Sequence, residues 1–130
     1  MTDLPGSWAP RVLSLLRIVT GLQFMEHGMQ KLFDFPPSDH GSVALFSIFG
    51  LAGVLETFGG ALITLGLFTR PVAFILSGEM AFAYFMVHLQ KSFFPVLNGG
   101  DAAISFCFIF FYIVFAGGGA WSLDRAMGRR

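Results

Sequence analysis

The chain has 130 residues, 55% apolar and 12% charged, with eight basic residues balancing eight acidic ones and a mean hydropathy of +0.70. That is one domain's worth of chain with more apolar surface than a soluble core of this size can bury, so the surplus is expected to face lipid. A neutral chain without a basic run excludes a nucleic-acid backbone as partner, and a single cysteine, Cys107, excludes an internal disulfide or dithiol exchange.

Crossing the hydrocarbon takes about 20 apolar residues in a helix, and four stretches of that order appear. The first covers residues 9–33. Its start carries Asp3 and Pro5 in place of a basic leader, so it is expected to be retained. Along it Arg17, Gly21, Phe24, Gly28 and Lys31 recur at three and four residues, which lines them up on one stripe. Pro36, Pro37 and Gly41 then forbid the helix from continuing. The second span, 43–68, gathers Gly50, Gly53, Gly59, Gly60 and Gly66 around its only charged residue, Glu56; small residues at helical spacing let helices approach closely in lipid. Thr69-Arg70-Pro71 is a sharp corner with Thr69 as the expected N-cap of a third span, 71–89. Pro95 and the run Asn98-Gly99-Gly100-Asp101 form the next loop. A fourth span, 102–120, has no charged residue, and Gly117-Gly118-Gly119 is expected to fray its end.

Four spans put both termini and the Arg70 corner on one side. That side carries Arg11, Arg70, Arg125, Arg129 and Arg130 against Lys31 and Lys91 opposite, so both termini are expected to be cytoplasmic. The sequence therefore predicts an all-α integral membrane four-helix bundle, residues 1–130 forming one transmembrane domain with no internal repeat. The 17 phenylalanines are read as packing and lipid contact, not as a cofactor box.

Two polar layers stand out. At 1.5 Å per residue, Arg17 and Glu79 lie roughly 10 to 12 Å in from the cytoplasmic side and Glu56 roughly 18 Å. An isolated charge at such depth costs at least about 3 kcal/mol, so Arg17 is expected to turn inward and contact Glu56 or Glu79. A buried ion pair that fixes helix register is the commoner meaning, and proton or ligand handling the alternative. Two carboxylates against one guanidinium leave a negative charge for a proton, ligand or partner to meet. In the outer layer, Glu26, His27 and Lys31 end the first span, and His88, Gln90 and Lys91 end the third, with Asn98 and Asp101 nearby. A pocket lined by Glu26, His27 and His88, with Asp101 at its rim, could pass a proton to a quinone ring oxygen. The plainer reading is helices emerging into water. There is no CxxCH for haem, and no metal site is expected.

The order Arg17, Gly21, Gly28, Lys31-Leu32, then Gly53, Glu56, Gly59-Gly60, Leu65-Gly66, Thr69-Arg70, then Asn98-Gly99-Gly100-Asp101 and Ser122-Leu123-Asp124, resembles the DoxX family over nearly the whole chain. Asp101 stands where many members carry glutamate, which keeps the charge. The resemblance implies a small, multi-pass protein of the bacterial inner (plasma) membrane. It also implies a subunit of, or partner to, a quinone-linked membrane oxidoreductase, because one branch supplies the membrane subunit of a thiosulfate:quinone oxidoreductase. On that reading quinone is the candidate cofactor, the lipid bilayer and a protein partner or second copy are the partners, and the chain is accessory rather than catalytic alone. The alternative is a non-catalytic assembly module whose glycine faces grip another membrane protein, as suggested by eukaryotic relatives that resemble receptor-assembly chaperones. A proton or small-molecule carrier would need a continuous polar path, for which four short helices leave little room.

Overall fold

A computed structural model describes residue 6 and residues 8–129, and among these the regular structure is entirely helical. There are four long helices, α1 (Trp8–Phe33), α2 (Ile48–Leu65), α3 (Thr69–Ala83) and α5 (Asp101–Ala116), and two short ones, α4 (Pro95–Asn98) in the loop before α5 and α6 (Leu123–Ala126) in the segment after it. A wide π turn, Tyr84–His88, prolongs α3 and closes with Leu89 N–H donating to the Tyr84 carbonyl at 2.9 Å.

Local chemistry sets the boundaries. The helix expected over 43–68 begins only at Ile48, because the Ser47 hydroxyl accepts from Gly50 N–H and makes Ser47 the N-cap. It stops at Gly66, whose φ of 70° suits a residue without Cβ and whose N–H returns to the Ile63 carbonyl. Thr69 is not the N-cap of α3 but its first residue. The flanking Phe68 adopts φ 51°, and the Asp124 carboxylate takes the amides of Phe68 and Thr69 at 2.9 and 2.8 Å. A cap has been supplied from the far end of the chain, where sequence neighbours alone could not show it.

The glycine run after α5 does not fray. Gly117 closes the helix, and the chain then folds back over the start of α1, with Ala120 N–H on the Pro10 carbonyl at 3.0 Å and Asp124 N–H on the Gly66 carbonyl at 2.9 Å.

Packing follows the glycines. α1 lies antiparallel along α2, α2 touches α3, and α3 packs on α5. A Cβ on Gly21 would meet the Thr64 hydroxyl at 2.5 Å, and one on Gly60 would meet Met25 N at 2.7 Å, so this spacing admits no side chain at either position. Leu76 of α3 fills the space over Gly59. Phe24 joins α1 to α5 by edge contacts with Phe106 and Phe110, at ring separations of 5.4 and 4.9 Å. Ile63, Ala73, Leu76, Met80, Ala103 and Ile113 complete the core.

The outward faces are apolar as well: Leu15 and Val19 on α1, Phe58 on α2, Phe74 and Phe82 on α3, and Phe108 and Phe115 on α5 are all exposed. An apolar exterior on every long helix is what lipid contact requires. α2, and α3 with its π turn, are each long and apolar enough to cross a membrane; α5 is a shorter apolar helix.

Candidate functional site

Arg17 is completely buried, yet it touches neither Glu56 nor Glu79. Its guanidinium donates to main-chain carbonyls: Nη1 to Ile63 and Thr64, both at 2.6 Å, Nε to Gly118 at 2.8 Å and Nη2 to Trp121 at 2.5 Å. The expected pairing fails because the antiparallel register sets Arg17 opposite the last turn of α2, two turns or about 11 Å from Glu56. Carbonyls left over at a helix C-terminus carry partial negative charge, and a five-donor fork can serve several at once. Ser14 shares the task, donating to the Gly118 carbonyl at 3.1 Å and accepting from Trp121 N–H at 2.9 Å. Arg17 therefore clamps the end of α2 to the chain segment that follows α5.

The cation that meets Glu56 is Lys31. From the C-terminal end of α1 its Nζ lies 2.5 and 2.7 Å from the two carboxylate oxygens of Glu56, which is 2% exposed. Glu79 on α3 has both oxygens out of contact with solvent and without a hydrogen-bond partner among the described residues. The charges acting on it are those of Glu56 and Lys31, while His27 is felt by Glu56. The two layers inferred from depth are thus regrouped: Lys31 leaves the outer one to join Glu56 and Glu79, and Arg17 leaves the inner one. The signal lay in the glycines. Gly21 and Gly28 on α1 lie against Thr64 and Thr57 on α2, and Gly60 and Gly53 lie against Met25 and Leu32, so the seven-residue glycine spacing marks the two faces while an offset of one turn from glycine-on-glycine pairing brings Lys31 to Glu56.

Glu26 and His27 line a groove of about 440 Å³ between α1 and α5, with Gln23, Ser105, Phe106 and Ile109 among its walls. The His27 ring stands edge-on to Phe106 at 6.1 Å. Neither His88 nor Asp101 lines this groove. The π turn carries His88 toward the loop, where Nδ1 lies 3.1 Å from the Asn98 carbonyl and the ring stacks on Tyr84. Asn98, 2% exposed, fixes that corner through Tyr84 Oη, the Ser92 carbonyl and Gly100 N–H. Asp101 is exposed in the first turn of α5. The single pocket expected from both histidines is therefore two separate places, a groove at His27 and a structural corner at His88.

A second hollow, of about 860 Å³, opens at the other end of the molecule between Thr69, Arg70, Gly118, Asp124, Arg125 and Arg129. Arg70 spans it to the C-terminal carbonyls of α5 at Val114 and Phe115. Asp124 is partly buried there, which alone would raise its pKa, but the Thr69 and Phe68 amides and Arg129 outweigh burial and hold it below the usual carboxylate value. Among the described residues no group of histidine, cysteine and carboxylate side chains is placed to hold a metal ion.

The DoxX family model matches residues 12–89. An uncharacterized protein of Haemophilus influenzae is 44% identical over 123 residues, covering 91% of this chain and 92% of its own length. An uncharacterized membrane protein of Mycobacterium tuberculosis is 27% identical over 138 residues, covering 93% of this chain and 84% of its own. No solved structure matches. The matched segment holds Arg17, the glycine seam, Lys31, Glu56 and Glu79, and by this match the chain belongs to the DoxX family of membrane proteins.

Proposed function

We propose that this protein is a four-helix bundle crossing the inner membrane four times, with both termini in the cytoplasm, and that it serves a quinone-linked oxidoreductase system as an accessory subunit. The observation that carries the reading is the groove between α1 and α5, where a carboxylate and an imidazole stand at the lip of a hollow walled by Phe106 and Ile109. Its volume of about 440 Å³ lies within the range of small-ligand sites, and an aromatic wall with few polar groups suits a flat ring. Glu26 and His27 are exposed on the outer half of α1, at the level where a ring can enter from lipid.

These residues fit a quinone. His27 would hold a proton at one ring oxygen with Glu26 beside it, and Gln23 and Ser105 would orient the second oxygen. The bound group would supply the electron-carrying chemistry, while the chain contributes placement, exclusion of water and the proton.

The glycine faces speak against the assembly-module alternative in its simplest form. Gly50, Gly53, Gly59 and Gly60 are all buried in this chain's own packing, which leaves none of them to grip another protein.

The test is binding of a quinone analogue to the protein in nanodiscs. His27→Gln and Glu26→Gln should each weaken it by about tenfold, the loss of one hydrogen bond to a charged group. His88→Gln should leave it unchanged. Equal affinity in the wild type, His27→Gln and Glu26→Gln would remove the groove as the site.

A further inference from the structure

Between α1, α2 and α3 lie two carboxylates, Glu56 and Glu79, and one ammonium, Lys31. Lys31 holds both oxygens of the Glu56 carboxylate within 2.7 Å of Nζ. Glu79 is left with two enclosed oxygens and no donor. An ionised carboxylate in that setting would lack solvation, hydrogen bonds and a free counter-ion, a combination proteins avoid by neutralising the group. The pair Lys31–Glu56 is already neutral, so the surplus is one negative charge and one proton cancels it.

We propose that Glu79 is a proton-binding site inside the helix packing, and that Lys31 decides which of the two glutamates holds the proton. In the structure Lys31 pairs with Glu56, and Glu79 carries the proton as a carboxylic acid. If the ammonium swings to Glu79, Glu79 releases its proton and Glu56 takes one up. The step is a proton transfer alone; no electron moves and no bond other than O–H is made or broken. Lys31 has the freedom for it, with 31% of its side chain exposed on a flexible stem, whereas Glu56 is held at 3%.

The groups around Glu79 are few. α2 offers Glu56, α1 offers Lys31 with His27 felt at Glu56, and α5, packed on α3, brings Cys107 level with Ser77 and carries Asp101, exposed, in its first turn. His27 also lines the groove between α1 and α5. A cation is the less suitable occupant, since no cluster of donor side chains surrounds Glu79 among the described residues.

Infrared difference spectroscopy of the full chain in liposomes tests this without any redox activity. The wild type at neutral pH should show the C=O stretch of a protonated acid in a non-hydrogen-bonded setting, sensitive to D2O and absent from Glu79→Gln. Glu79→Asp should restore the band at a shifted position, which covers the case in which the glutamine variant does not fold. In Glu56→Gln, Lys31 has only Glu79 to pair with, so the Glu79 acid band should vanish. An unchanged band in Glu79→Gln would overturn the proposal. So would a carboxylate signal that appears and disappears with sodium, which makes the site one for a cation. Loss of quinone-analogue binding in His27→Gln leaves these bands in place, so failure of either idea is told apart from failure of the other.

Discussion

Lys31 Nζ reaches from α1 to within 2.5 Å of Glu56 Oε2 on α2, one helix turn beyond the point where Gly28 lies against Thr57. The close glycine contact and the ion pair depend on each other, since a wider helix spacing would take the ammonium out of reach. Lys31→Met strands a carboxylate that is 2% exposed. It should lower stability by about 3 kcal/mol, the lower end for breaking a buried pair because Lys31 keeps some solvent contact. Lys31→Met combined with Glu56→Leu should regain most of that loss, as read by thermal unfolding in detergent; a double variant no better than the single one would show that the pair is not the source.

Arg17→Lys is not conservative here. One ammonium cannot reach the four carbonyls that the guanidinium serves on Ile63, Thr64, Gly118 and Trp121. A loss of about 2 kcal/mol is expected for Lys and more for Leu, since each orphaned buried acceptor costs about 1 to 3 kcal/mol. Proteolysis of the segment after α5 should accelerate in parallel, because Arg17 and Ser14 are what tie it down. Wild-type stability in Arg17→Lys would mean that water replaces the fork.

Two glycines in helix interiors should respond in opposite ways. Gly60→Ala forces its methyl against Met25 N at 2.7 Å and should destabilise by about 1 to 3 kcal/mol through overpacking. Gly78→Ala on α3 meets nothing within 4 Å and should stabilise by up to about 1 kcal/mol by helix propensity. Melting temperatures of the two variants check this directly, and a fall in both would show that Gly78 lies against something outside the chain.

Asp124 makes the cap of α3 sensitive to acid. The folded state holds its pKa below the unfolded value, so its stabilisation is present above the unfolded pKa of about 4 and is lost as pH falls through the folded one. Between pH 7 and 5 the contribution should be flat, and below about pH 4 it should fade. Asp124→Ala should cost about 1 kcal/mol at neutral pH, the usual worth of a cap. Stability of wild type and variant should converge in acid; a constant gap down to pH 3 would rule the carboxylate out as the source.

Much of the helix order could be read from the chain because it is written in local terms. Pro36, Pro37 and Gly41 keep the first helix from continuing, the Thr69-Arg70-Pro71 corner separates the second from the third although α2 already stops at Gly66, and apolar runs fill the space between such stops. The late start of α2 at Ser47 and the π turn at Tyr84–His88 were not legible, since several turn-forming residues competed for the first and no side-chain pattern marks the second.

Sequence alone determined that α1 carries its glycines, Arg17 and Lys31 on one stripe, that Glu56 belongs with the glycines of α2, and that Arg17 and Glu56 have to face inward. Helical periodicity and the cost of isolated charge are properties of single segments. Only the tertiary structure decided who meets whom. Register between helices comes from how closely Gly21 and Gly28 let α1 approach Gly60 and Thr57, and that contact moved Lys31 onto Glu56 and Arg17 onto the carbonyls of Ile63 and Thr64. The acceptors for Arg17 on Gly118 and Trp121 lie over a hundred residues away and are main-chain atoms, which every residue carries and no sequence pattern distinguishes.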